Sequence, residues 1–303
     1  MSEVQLAGSK WLRTELVGTG EFAELWVCEH SEDPRTKTYL RQIHLSEHAA
    51  LNMSQLHEKL NRIVRHVAIS EHLVNVENWE VQFPMCNIFL PYVSNEWQPL
   101  DIVTKHEILN ENQMCGVIRD VMSGLSHLRK SHIFHGNVSL SNIVLNTDIE
   151  RAKLTDFGQQ RDFFKFNAAI KGQKETKGPV YTKIEKYVFA CNNTDPAIID
   201  YLQFGLALID CVEKMSELMS SVAITEDTCR VTYILKKMEW DQNFTRQMYN
   251  FLNILMLQLP RNLVTFSKLD QFIPDPTLAP NLFSESSFSQ NLKELSENHS
   301  QLL

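Results

Sequence analysis

No stretch of this 303-residue chain approaches the roughly 20 consecutive apolar residues of a bilayer-spanning helix, so a membrane protein is not expected. Positive charge is also short: 29 lysines and arginines face 37 aspartates and glutamates, for a formal net charge of -8. Such a surface attracts neither nucleic acid nor anionic lipid, and neither is an expected partner. Paired cysteines are missing. Cys28, Cys86, Cys115, Cys191, Cys211 and Cys229 are scattered, with no CxxC and no paired spacing with histidine. This argues against a disulfide frame or zinc site and for buried thiols in a reducing compartment. The opening MSEVQLAGSKW lacks the basic-then-apolar order of a secretory signal. A cytoplasmic protein, with the nucleus as a second compartment, is the expectation. What is present is an ordinary globular composition, 43% hydrophobic and 22% charged, at a length suited to one two-lobed unit or two domains.

Strand-like alternation predicts three β-strands over residues 10–17, 22–29 and 37–45, separated by Gly-Thr-Gly and by the turn-forming SEDPRT. Leu51, Leu56, Leu60, Ile63, Val64 and Val67 recur at helical spacing, predicting a helix over 50–68. Two more strands, 74–82 and 86–93, are broken by Phe83-Pro84. The first part of the chain is thus a small sheet-rich lobe. Beyond about residue 98 the pattern turns helical, clearest over 111–130, where Val117, Val121, Leu125 and Leu128 make one face. Further helices are expected over 198–219, 244–259 (stopped by Pro260) and 263–272. The expected organisation is a short extension over 1–9, an amino-terminal lobe over 10–93, a helical lobe over 94–273, and a tail over 274–303. PDPTLAP opens that tail, and its serine- and glutamate-rich remainder is expected to be mobile until bound.

Several motifs stand out against this frame. Gly18-Thr19-Gly20-Glu21-Phe22-Ala23 lies between two predicted strands, where glycines allow close approach to phosphate or simply make a hairpin turn. Tyr39-Leu40-Arg41-Gln42-Ile43 places a cation on the third strand, whose plain reading is a solvated arginine. The central stretch is IFHGNVSLSNIVLNTDIERAKLTDFG, residues 133–158. Its Asn142 and Asp156 are oxygen ligands of the kind magnesium takes, and otherwise a loop-capping side chain and a turn residue. Pro179-Val180-Tyr181-Thr182-Lys183-Ile184-Glu185 and Asp200-Tyr201-Leu202-Gln203-Phe204-Gly205 follow.

In this order the motifs resemble those of protein kinases, which carry a glycine-rich loop, VAIK, HRDLKxxN, DFG and APE. The resemblance covers residues 10–273 and implies an α+β, bilobal protein kinase-like fold with a small β-rich N-lobe and a larger helical C-lobe. It further implies a nucleotide site in which Gly18 and Gly20 cover the phosphates, Phe22 caps them and Arg41 replaces the phosphate-binding lysine. Leu90 would be the gatekeeper, with Pro91 and Val93 meeting the adenine edge, and Asn142 and Asp156 would be the metal and nucleotide ligands. ATP, with or without magnesium, is the implied cofactor. The chemistry is degraded. Asn137 stands at the catalytic base, and an amide accepts a hydrogen bond but no proton near neutrality. General-base assistance is worth roughly 10²–10⁴ in rate, so its loss leaves a feeble enzyme at most. Ser139 removes a lysine, Gly136 removes an arginine, and no glutamate falls near Asn61–Ile63 to pair with Arg41, Glu58 lying one turn away. Asp200 would anchor the catalytic-loop backbone, and Arg261 is the nearest substitute for the arginine that pairs with the APE glutamate.

Within the family, the arginine in TYLRQIHL and the stretch LNENQMCGVIRDVMSGLSHLRKSHIFHGNVSLSNIVL look most like the STRAD pseudokinases, relatives of the sterile-twenty group. That likeness implies a catalytically inactive adaptor that activates or scaffolds a partner serine/threonine kinase, together with a helical-repeat scaffold protein. The alternatives are a weak serine/threonine kinase, supported by the intact DFG, and a pseudokinase that senses ATP.

Overall fold

A computed structural model describes residues 3–6, 9–19, 23–92, 96–156, 196–215, 219–224 and 229–234. The expected helices over 244–259 and 263–272, the tail over 274–303, Gly20, Phe22, Val93, Phe157, Gly158, Pro179–Glu185 and Arg261 lie outside the described residues.

The amino-terminal lobe is built on an antiparallel sheet of β1 (Glu3–Leu6), β2 (Ser9–Thr19), β3 (Ala23–His30), β4 (Lys37–His44), β5 (Asn78–Gln82) and β6 (Met85–Pro91). Its order is β1-β2-β3-β4-β6-β5, six strands where the sequence pattern suggests five. The additional strand is β1: Glu3–Leu6 folds back on β2, Leu6 opposite Ser9, within the stretch expected to precede the domain. Expected strand 74–82 is shortened to β5 because the Val74 N–H donates to the Leu154 carbonyl at 2.8 Å and leaves the sheet.

Both faces of this sheet are used. On one, Cys28, Leu40 and Phe89 are buried under Trp11 and Trp26, with the Arg13 guanidinium 5.3 Å from the Trp26 ring centre. The other faces the helices. Leu51 is not part of the main helix: α1 (Glu47–Leu51), capped by Ser46, ends at Asn52, and Leu51 is left exposed. The helix α2 (Met53–Val67) then buries Leu56, Leu60, Ile63 and Val67 against the sheet, a spacing of three and four residues that gives one apolar stripe.

β7 (Gln98–Pro99) and α3 (Leu100–His106) lead into α4 (Glu111–Lys130), whose bounds match the sequence pattern. Asn110 and Gln113 close its first turn reciprocally, each side chain accepting the other's backbone N–H, at 2.9 and 3.0 Å. Gly116 is required on this helix. A Cβ there would lie 2.1 Å from the Glu150 carbonyl oxygen. After a 3-10 turn over Leu140–Asn142, β8 (Ile143–Asn146) and β9 (Arg151–Leu154) form a three-stranded sheet with β7. The next described helix, α5 (Pro196–Met215), begins two residues earlier than expected and ends four earlier. Met219 instead starts β10 (Met219–Ile224), which pairs with β11 (Cys229–Ile234). Val231, Thr232, Tyr233 and Ile234 on β11 are residue types that suit a pleated strand.

One apolar core runs through both lobes. Ile43, Leu60, Ile63 and Val67 belong to the same buried cluster as Val121, Leu125, Ile143, Leu154 and Phe204. The lobes are also joined through backbone, since the Leu154 N–H donates to the His72 carbonyl at 2.9 Å. This continuity fixes the sheet of the first lobe over the loop that follows α4.

Candidate functional site

That loop is held from below by α5. Asp200, buried on α5, accepts the backbone N–H groups of His135 and Gly136 at 2.7 Å each, one on each carboxylate oxygen. Gln203, one turn on, accepts the Val138 N–H at 3.0 Å. Gly136 has φ 76°, which glycine adopts without a Cβ clash. Charge-assisted hydrogen bonds to buried N–H groups are each worth about 1.5–3 kcal/mol, so this anchor is a strong determinant of loop shape. Asp200 thus takes the anchoring geometry that its motif suggests.

The segment then closes on itself. The Asn142 side-chain amide donates to the Asn137 carbonyl at 2.8 Å, and the Asn142 carbonyl accepts the Thr155 N–H at 3.0 Å. Asn142 therefore bridges the base position and the segment that leads from β9 to Asp156. His135 is fully buried between these parts. Burial pushes its imidazole down to about 4, a hydrogen bond to the Thr155 backbone offsets this only in part, and the Arg41 charge adds to it. At neutral pH it is an uncharged ring. Asn137, half-buried, presents an amide where a proton acceptor would be needed.

Arg41 and Asp156 are brought together. Arg41 comes from β4 in the upper lobe, Asp156 from the end of β9 in the lower, and the guanidinium pairs with the carboxylate. Asp156 has φ 68°, a left-handed conformation that aspartate tolerates better than most residues. Burial lowers the Arg41 pKa to about 10, with the Cys86 thiol opposing, so the group stays cationic at neutral pH. The helix α2 gives it no acid. Glu58 is exposed and pairs with Arg62 at 3.0 Å along its own helix. Where α2 faces Arg41 it offers Leu60 and Ile63 instead, and with Val74, Val76, Ile88 and Leu90 they line a cavity of about 20 Å³. That is room for about one water molecule. Among the described residues no group of three or more His, Cys, Asp and Glu could hold a metal ion. Of the expected magnesium pair, Asp156 has its carboxylate on Arg41, whereas Asn142 gives Asn137 its amide N–H and not the oxygen that would meet a metal.

Of the other expected nucleotide residues, Gly18, Leu90 and Pro91 are among the described ones. Among the described residues, a Cβ on Gly18 would meet nothing within 4 Å. Leu90 lines the small cavity, and Pro91 ends β6 opposite Thr38. Residues that the sequence reading passed over lie among them. Tyr39 is two positions from Arg41 on β4 and so on the same face. It stands opposite Leu90, and its ring lies against Tyr92 with centroids 5.0 Å apart. Lys37, on the same face again, sits 6.0 Å over the Tyr92 ring and pairs with Glu29 at 3.1 Å. Strand period alone would have found Tyr39. Only the fold brings Tyr92 and Gln203 into place.

The protein kinase domain model matches residues 11–269. The chain belongs to the protein kinase domain family. Its α+β bilobal architecture is that of the family, whose members as a class bind ATP. Among curated relatives, mitogen-activated protein kinase kinase kinase 1 of Rattus norvegicus is 20% identical over 50% of this chain and 10% of its own length. Serine/threonine-protein kinase PLK2 of Rattus norvegicus is 26% identical over 50% of this chain and 22% of its own. Serine/threonine-protein kinase pakA of Talaromyces marneffei is 43% identical, but over 19% of this chain and 9% of its own. The chain thus matches less than a quarter of each relative. Among solved structures, the Mycobacterium tuberculosis PknI kinase domain is similar at 16% identity and TM-score 0.49, over 70% of this chain and 74% of that one.

Proposed function

We propose that this kinase-domain protein transfers no phosphate and instead binds a partner serine/threonine kinase and shifts it toward its active state, as an adaptor of the STRAD type. The observation that carries this reading is the Arg41–Asp156 pair, which spans the two lobes. The residues that hold shape are kept and satisfied: Asp200 on the loop backbone, Asn142 on Asn137, His135 buried and neutral. The residue that would take a proton is Asn137, which cannot. A fixed surface can still do work. Carrying a partner from 1:99 to 99:1 active needs about 5.5 kcal/mol of preference for the active state. An interface of about 1,600 Å² is enough to supply that without chemistry. A helical-repeat scaffold is the second partner this reading implies, and the cytoplasm and nucleus are where it places the complex.

The test has two arms. Purified protein with magnesium-ATP and a general substrate should transfer no phosphate, and Asn137→Asp should not restore turnover. Affinity purification from cells followed by mass spectrometry should recover a serine/threonine kinase whose activity rises in the complex. Phosphotransfer by the native protein that disappears on replacing Asp156 would refute the proposal.

A further inference from the structure

The upper wall of the cleft holds two features that a bound nucleotide would have to displace. Where a base would lie against the segment after β6, the chain supplies an aromatic ring of its own. Tyr39 projects from β4 on the Arg41 face, opposite Leu90, and is half-buried against Tyr92. The stack is closed on the outside by Lys37, held over Tyr92 and tied to Glu29. Where magnesium and phosphate would link the upper cation to the lower carboxylate, Arg41 reaches Asp156 directly. A planar guanidinium suits a carboxylate well and is not displaced as readily as a flexible ammonium. Arg41 and Asp156, the two charged groups expected to hold phosphate and metal, are thus engaged with each other, and with Tyr39 standing opposite Leu90 this part of the cleft does not fit magnesium-ATP.

We infer that Tyr39 and Arg41 are built-in replacements for the nucleotide, the Tyr39–Tyr92 stack standing for the base and the Arg41–Asp156 pair for the metal-phosphate bridge, so that the closed shape needs no ATP. This rests on the cleft alone and stands apart from whether the chain activates a partner. It makes Tyr39 the residue that decides nucleotide exclusion.

Thermal melting in millimolar ATP, with magnesium and with EDTA, tests it. The native protein should melt at the same temperature in all conditions, and a fluorescent ATP analogue should show no saturable binding. Tyr39→Ala, confirmed folded by circular dichroism, should gain stabilisation by ATP. At a concentration about 100-fold above its Kd the rise would be roughly 5 °C. Because Arg41 keeps the Asp156 carboxylate, that rise should be equal with magnesium and with EDTA. Tyr39→Val is the second variant should the alanine protein fail to fold. ATP-dependent stabilisation of the native protein would overturn the inference, as would folded Tyr39 variants that remain blind to ATP. A rise that requires magnesium would overturn the part assigned to Arg41. Native ATP binding without phosphotransfer would sink this inference and leave the proposed function standing.

Discussion

Acidification should weaken this fold through one buried ring. His135 has no exposed surface, and burial takes its imidazole from 6.5 to about 4. Between those values the unfolded chain takes up a proton that the folded chain refuses. The unfolded state then binds more protons, so stability falls as pH falls through this window and levels off below it. Each pH unit inside the window is worth up to about 1.4 kcal/mol, so moving from pH 7 to pH 5 should cost about 2 kcal/mol through His135 alone. The assay is urea denaturation at pH 7, 6 and 5 on the native protein and on His135→Gln, which is polar at the same position but does not titrate. Other titrating groups are shared by the two proteins and cancel in the difference between slopes. The native protein should lose about one proton's worth of stability per pH unit more than the variant. Equal slopes would mean that His135 is protonated within the fold, and the reading of a neutral, buried ring beneath the candidate site would be wrong.

At Asp120 acidification acts in a lower window. Burial pushes its carboxyl up, but hydrogen bonds from His72, Arg119, the Ala152 N–H and Arg151 overrule this and hold it well below the usual carboxylate range. Its contribution is present above the unfolded pKa near 4 and is lost only below that. Asp120→Asn should cost about 3–5 kcal/mol at pH 7, measured by urea denaturation, because two guanidinium groups lose their shared anion. Asp200→Asn should cost about 2–3 kcal/mol, since one of two buried backbone N–H groups then faces an amide NH₂. Hydrogen exchange at Gly136 should speed up in that variant, and an unchanged rate would remove Asp200 as the loop's anchor.

Much of this protein was legible in its chain order. The stripe Leu56, Leu60, Ile63, Val67 and the capped run of α4 identify helices because their period and caps are local. The motif order pointed to the kinase fold, and the resemblance of DYLQFG to a kinase motif pointed to Asp200 as an anchor. Other local signals misled. Val74 belongs to a predicted strand, yet its N–H is taken by Leu154 from the other lobe. Leu51 is apolar and in phase with α2, but the break at Asn52 turns it into solvent.

The sequence by itself determined which groups this protein has to work with. Asn137 cannot accept a proton in any fold, Arg41 remains a cation, and the inner face of α2 carries no acid to receive it. Tertiary structure alone decided where that cation goes. Charge pairing depends on distance through space, and Arg41 and Asp156 meet only because the core sets β4 over the end of β9. The same folding puts Tyr39 against Tyr92, two rings whose separation along the chain gives no hint of contact. Residue identity settled which chemistry was lost, and packing settled what took its place.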